Sequence, residues 1–140
     1  MVRNEKIEEG LEMMEHGKRI RLRRIIREDG HTVVVPMDHG VTIGPVQGIQ
    51  NMQNIVDKLL SGGADAMVLH KGIAKRVEVG SAGLIVMLSA ASNLNPNCNN
   101  KVQVCSVEEA VRLGADAVAV HVNVGAEDED KMIATLGSVA

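Results

Sequence analysis

The chain has 140 residues, a net charge of −3, 45% hydrophobic residues and 24% charged ones, which suits one soluble globular domain. The mild acidity gives no reason to expect nucleic acid or an anionic membrane as a partner. Phe, Tyr and Trp are all absent, so any core is built from Val, Ile, Leu, Met and Ala. Aromatic stacking on bases, a catalytic tyrosine and aromatic sugar platforms are thereby excluded within these residues. Cys98 and Cys105 do not make a disulfide framework, and the N-terminus lacks the apolar segment of a secretory signal, so a cytoplasmic location is expected. The most apolar window, Ala82 to Ala91, is about half of what a membrane span needs.

Residues 4–28 carry Ile7, Leu11, Met14, Ile20, Leu22, Ile25 and Ile26 at largely helical spacing, interrupted by Gly10 and Gly17. The basic run Lys18 to Arg27 reads as a helix packed by one face, with arginines solvated or paired to Glu5, Glu8, Glu9 and Glu12. Glu28-Asp29-Gly30 is a turn signal. Val33 to Val35 then have the unbroken apolar character of a strand buried on both faces, and the run ends in Asp38-His39-Gly40.

Residues 48–61 are predicted helical, with Ile49, Met52, Ile55, Val56, Leu59 and Leu60 on one face and Gly62-Gly63 as the stop. Ala64 to His70 and Gly83 to Leu88 are predicted strands, with little room for a helix between Ala74 and Ala82. Asn93 to Asn100 is loop by its turn chemistry. Ser106-Val-Glu-Glu109 is a capping box opening a helix through Leu113. Ala115 to Val124 is a fourth strand, and Glu127 to Asp130 put four acids into the first turn of a last helix.

One internal repeat organises these elements. Gly63-Ala-Asp-Ala-Met-Val-Leu-His70 matches Gly114-Ala-Asp-Ala-Val-Ala-Val-His121 at an offset of 51 residues. Each copy runs helix stop, strand, polar tip, the unit of a βα array. Strands alternating with helices predict a parallel sheet with right-handed crossovers. A doubly wound sheet fits the pattern too, but no GxGxxG follows the first strand.

In such folds the strand tips converge on the ligand. Two-residue alternation puts Ala66, Val68 and His70 on one face, with Ala117, Ala119 and His121 on the equivalent face of the fourth strand. Met67, Leu69 and Lys71 fall on the opposite face. His70 and His121 are therefore lumen candidates and Lys71 is not. Asp38 closes the first strand, where a carboxylate can move a proton to or from a carbon acid or hydroxyl. Its bland alternative is a helix cap. His39, His70 and His121 invite a zinc reading, as in a metal-dependent barrel hydrolase, but H-x-H and H-E-x-x-H spacings are missing. Lys71 as an imine-forming amine is on the wrong face. Cys105, before a helix N-terminus, reads as a small buried hydrophobe.

Val35-Pro-Met-Asp-His-Gly40, Gly44-Pro45, His70-Lys-Gly-Ile73, and Ser106 to Ala117 followed by His121-Val-Asn-Val-Gly125 resemble the archaeal-type class I aldolases. Within that family they are most similar to the 2-amino-3,7-dideoxy-D-threo-hept-6-ulosonate synthases of aromatic amino acid biosynthesis, and also resemble the fructose-bisphosphate aldolases. The resemblance implies an α/β fold, a (β/α)₈ TIM barrel working without metal or other cofactor. A lysine on strand six forms a Schiff base with a phosphorylated keto-sugar, a tyrosine on strand five donates a proton, and an aldehyde is the second substrate. The strand-one carboxylate, the proton acceptor, lands on Asp38. Substrate contacts land on Asp38, His39, Gly40, Val41 and Thr42, with His70 and His121 added from the strand tips.

A complete barrel of this kind takes about 250 residues. Residues 1–140 are accordingly read as the N-terminal half of one barrel domain, with 1–30 a helical extension and 31–140 holding strands one to four. The lysine and tyrosine then lie beyond these residues. A half barrel has two open edges, so a homo-oligomer closing a two-chain barrel, or a partly disordered chain, is expected, inactive by itself. A non-catalytic fragment or assembly module is the alternative.

Overall fold

The computed structural model describes residues 15–140. Ile7, Leu11 and Met14, and the acids Glu5, Glu8, Glu9 and Glu12, lie outside the described residues.

Four strands, β1 (Val34–Pro36), β2 (Ala66–His70), β3 (Gly83–Met87) and β6 (Ala117–Ala119), form one parallel sheet in the order β1-β2-β3-β6. This is the predicted 1-2-3-4 arrangement of a partial (β/α)₈ barrel. The helices are α1 (His16–Ile25), α2 (His39–Ile43), α3 (Met52–Ser61), α4 (Lys71–Ala74), α5 (Val107–Arg112) and α6 (Glu129–Val139). Strand β4 (Ser89–Ala90) continues β3 beyond its tip and pairs antiparallel with β5 (Val102–Gln103), a ribbon the sequence pattern did not announce.

Sheet register sorts the side chains into two faces. Val35 lies beside Met67 and Leu84, and Leu69 beside Val86 and Val118. These residues form the core, together with Val56 of α3, Ala110 of α5, Leu88 and Cys105. Ile49, Met52, Ile55, Leu59 and Leu60 pack on it as the predicted apolar face. Each fully buried Met67, Leu69, Val86 or Leu88 contributes about 1.5–3 kcal/mol by leaving water. The other face carries Pro36, Val68, Ile85 and Ala117 in one row. Val34 on that face is exposed, as is Pro36, so β1 is not buried on both sides as predicted. Among the described residues, one wall of the lumen is formed.

Several boundaries are shorter than predicted, each for a local reason. Helix α3 starts at Met52 rather than residue 48, because the Asn51 side chain caps it by accepting the Asn54 N–H at 3.2 Å. Strand β6 stops at Ala119 because the ladder with β3 ends there, and the next inward amide, His121 N–H, is taken by Ser89 Oγ at 2.9 Å. Helix α6 opens at Glu129, not at Glu127. Glu127 and Asp128 instead accept from Asn97 and Asn100 at 3.0 and 2.7 Å, which ties the asparagine-rich loop down. The Ser106 hydroxyl caps α5 by accepting the Glu109 N–H, but the Glu109 carboxylate does not close the box.

The sequence repeat corresponds to one repeated device. After α3 and α5, Gly63 and Gly114 adopt φ of +87° and +82°, conformations that side chains resist. The following amides, Ala64 and Ala115, reach back to the carbonyls of Leu59 and Ala110 at 3.0 and 3.1 Å. Asp65 then accepts the Val33 N–H at 2.7 Å and the Arg27 guanidinium at 2.6 Å. Asp116 accepts the Leu84 N–H at 2.9 Å and Arg24 at 3.3 Å. Each aspartate thus fastens a neighbouring strand's entry and an arginine at or just beyond the end of α1. Arg24 and Arg27 are therefore neither merely solvated nor restricted to partners in the N-terminal segment, as the basic run suggested.

Helix α1 closes the N-terminal end of the sheet by seating Ile25 over Gly83. A Cβ at Gly83 would stand 2.6 Å from Ile25 Cγ1 and 3.0 Å from the Arg24 carbonyl. Gly83→Ala is expected to destabilise the chain by about 1–3 kcal/mol through overpacking, read as a lower denaturation midpoint with unchanged slope. Wild-type stability in that variant would show that α1 does not sit there.

Candidate active site

The C-terminal ends of β1, β2 and β6 bring Asp38, His70 and His121 to one end of the lumen face. Asp38 follows β1 and occupies the N-cap position of α2, yet its side chain makes no capping hydrogen bond. The five-residue helix therefore leaves that carboxylate uncommitted. Asp38 and His70 line one cavity of about 400 Å³ with Met37, Gly40, Val41 and Ile73. His70 ends β2 and is buried, whereas His121 lies two residues beyond the end of β6 and is exposed. Burial lowers the His70 pKa, and the positive form of His121 acts the same way, against the raising pull of Asp38.

The remaining expected contacts follow β1. His39, Gly40, Val41 and Thr42 all lie in α2. Gly40 and Val41 face the cavity, and the Thr42 carbonyl accepts the Asn93 N–H at 2.9 Å, linking this turn to the asparagine loop. His39 and Thr42 are not among the cavity-lining residues. Ser89, buried at the β3 tip, holds the His121 amide. The hydrogen bond across to the segment after β6 leaves no signal in the sequence.

Lys71 points away from this site. It begins α4 and pairs with Glu109 of α5 at 2.9 Å, and Lys75 approaches the same carboxylate at 3.3 Å. The bond to Glu109 raises the Lys71 pKa, the reverse of what an imine-forming amine needs. Cys105 is buried, and burial pushes its thiol pKa up, which makes it inert. Among the described residues, no three of His, Cys, Asp and Glu converge to hold a metal ion. No described helix is long and apolar enough to cross a membrane.

Residues 32–140 match the family model described as DeoC/LacD family aldolase. The chain belongs to this aldolase family. Among its relatives, the 2-amino-3,7-dideoxy-D-threo-hept-6-ulosonate synthase 1 of Archaeoglobus fulgidus is 44% identical over 127 residues, covering 89% of this chain and 48% of that protein. The corresponding synthase of Halobacterium salinarum is 42% identical over 130 residues, covering 91% and 49%. An archaeal fructose-1,6-bisphosphate aldolase, solved with its catalytic lysine bound to the carbinolamine intermediate, superimposes with a TM-score of 0.75 at 32% identity. That match covers 86% of this chain and 50% of the other. The chain spans about half the length of these aldolase relatives.

The Lys71–Glu109 pair offers a direct check on which lysine is free. Bonds from Lys71 and Lys75 hold the Glu109 pKa below the usual carboxylate value. Its contribution to stability is therefore complete above the ordinary glutamate range and lost as pH falls through the lowered value. Glu109→Gln is expected to remove that acid dependence and return Lys71 toward an ordinary amine, so that it is reductively methylated faster at pH 8. Unchanged Lys71 reactivity would contradict the pairing.

Proposed function

We propose that this chain supplies the first half of a Schiff-base aldolase acting on a phosphorylated keto-sugar and an aldehyde, with Asp38 as the general acid/base. The observation that carries the reading is the uncommitted Asp38 carboxylate, at the end of a parallel strand and on the wall of a cavity. In aldol cleavage the carbon–carbon bond beside the imine breaks as a base takes the carbinol proton, and a carboxylate with free lone pairs suits that task. His39, Gly40, Val41 and Thr42 after β1, with His70 and His121, are the substrate contacts in this reading.

The substrate follows the curated relatives. Identities of 42–44% to 2-amino-3,7-dideoxy-D-threo-hept-6-ulosonate synthases favour that activity, in aromatic amino acid biosynthesis. The second reading, fructose-1,6-bisphosphate aldolase, is favoured by the archaeal structure at a TM-score of 0.75. No Lys or Arg lines the cavity, so phosphate is held by elements other than these lining residues. We read residues 1–140 as half of one barrel domain, with 1–30 the extension and 31–140 the strand units. The uncovered lumen and the edges at β1 and β6 suit either further strands or a second copy, as in a homo-oligomer. No cofactor enters this chemistry, and a cytoplasmic location fits it.

The test mixes the chain with the separately produced second half of the Archaeoglobus fulgidus relative. Borohydride with a keto-sugar phosphate is expected to trap an adduct on the added half and none on Lys71. Asp38→Asn is expected to lower aldol turnover of the mixture by about 10²–10⁴-fold while trapping persists. An adduct on Lys71, turnover that needs stoichiometric zinc, or an undiminished Asp38→Asn rate would overturn the assignment.

A further inference from the structure

We propose that Asn97 and Asn100 are positioning residues for the Asp38 turn: the asparagine loop, residues 91–101, latches α2 to the segment after β6 and so holds the β1 tip at the cavity. The functional half of the inference rests on the reading of Asp38 as the site carboxylate. The latch itself stands on hydrogen bonds.

Helix α2 does not hold its own place. At five residues it is far below the length at which an isolated helix is stable. None of its residues is buried, and Val41 and Ile43 are half exposed, so packing offers it little. Among the described residues, one hydrogen bond joins residues 39–50 to another part of the chain. The Asn93 N–H donates it to the Thr42 carbonyl at 2.9 Å. Asp38 immediately precedes this helix, and Gly40 and Val41 line the cavity. Whatever holds Thr42 therefore also sets the cavity wall. No residue of the asparagine loop lines the cavity, so the loop acts through α2 and not on a substrate.

The far end of the loop is fixed in a different place. Strand β4 carries the chain past the β3 tip, and β5 brings it back. Between them, Asn97 Nδ2 donates to the Glu127 carboxylate at 3.0 Å and Asn100 Nδ2 to Asp128 at 2.7 Å. The Asp128 N–H returns a bond to the Asn100 side-chain oxygen at 3.4 Å, and Asn123 Nδ2 donates to the Asn99 carbonyl. The sheet runs β1-β2-β3-β6. One loop rooted on β3 thus ties the turn after β1 to the segment after β6, the two outer strands. Amide-to-carboxylate bonds are of the stronger, charge-assisted kind, and the Asn100–Asp128 pair is partly buried. Asparagine suits the latch because its side chain donates and accepts at once. The Asn95 side chain also accepts the Asn97 N–H at 2.9 Å, so the stretch between Asn93 and Asn97 is not slack.

The test is residue-resolved hydrogen exchange on the full chain, a readout independent of aldol turnover. Two amides report on the latch: Asn93, bonded to Thr42, and Gly44, which closes α2 by donating to the Gly40 carbonyl at 3.0 Å. Asn100→Asp keeps the side-chain shape but sets a carboxylate against Asp128. It is expected to speed exchange at both amides by about tenfold or more, the loss of one charge-assisted bond, with Leu69 and Val86 unchanged. Adding Asp128→Asn reverses donor and acceptor and is expected to restore protection, a rescue that simple damage to the loop would not allow. The Asn93 bond is made by the main chain. Asn93→Ala is therefore expected to leave Gly44 protected, and Asn93→Pro, which lacks the N–H, to expose it. Unchanged exchange in Asn100→Asp, no rescue by the reversed pair, equal effects of the two Asn93 variants, or a uniform rise across the sheet would overturn the proposal. If Asn93→Pro does not fold, Asn100→Asp and the reversed pair still decide. A latch that behaves as expected beside undiminished turnover in Asp38→Asn would sink the aldolase reading alone.

Discussion

A carboxylate just before a strand, accepting an amide at the entry of the neighbouring strand, is the contact on which the site geometry depends. Asp65 performs it for Val33 and Asp116 for Leu84. The side chain of Asp116 is only 4% exposed, so the amide and Arg24 are its main compensation for lost water. Charge-assisted bonds of this kind are stronger than neutral ones, whereas the half-exposed arginines add little as ion pairs alone. Fastening the strand entries fixes register, and a slip of one residue would send every side chain to the opposite face. Asp38 and His70 would then point into the helical layer, and Met67 and Leu69 into the lumen.

The same register explains why so small a set of residues can form a core without any aromatic ring. Met67, Leu69, Leu84 and Val86 fill the space under α3 and α5, with methionine matching irregular gaps. The lumen face mixes small residues, Ala66, Gly83, Ala117 and Ala119, with Val68, Ile85 and Met87. At the top of that face the polar groups separate by environment. Asp38 keeps a free carboxylate beside a cavity, buried His70 loses its tendency to charge, and Lys71 is sequestered by Glu109 on the far side.

Much of this was legible in the sequence because it depends on local spacing. Helix stops at Gly63 and Gly114, the period-two alternation of β2 and β6, and the polar strand ends together locate Asp38, His70 and His121 at one end. What escaped depends on contacts distant in sequence. Arg24 and Arg27 look like part of a solvated basic run until Asp116 and Asp65 are brought beside them. Glu127 and Asp128 look like helix-dipole partners until Asn97 and Asn100 recruit them. The β4–β5 ribbon is two residues per strand, too short to leave a periodic signal. The apparent two-sided burial of Val33 to Val35 reflects a lumen whose opposite wall is not among the described residues.

Residue-resolved hydrogen exchange tests most directly whether the two aspartates set the register. In the wild-type chain the Val33 and Leu84 amides are expected to be protected, although each lies at a strand entry. Asp116→Ala is expected to speed exchange at Leu84 by about tenfold or more, the loss of roughly 1–3 kcal/mol when a buried amide goes unpaired, and to leave Val33 protected. Asp65→Ala is expected to do the converse. Unchanged protection of Leu84 in Asp116→Ala, or a uniform rise across the whole sheet, would contradict the account.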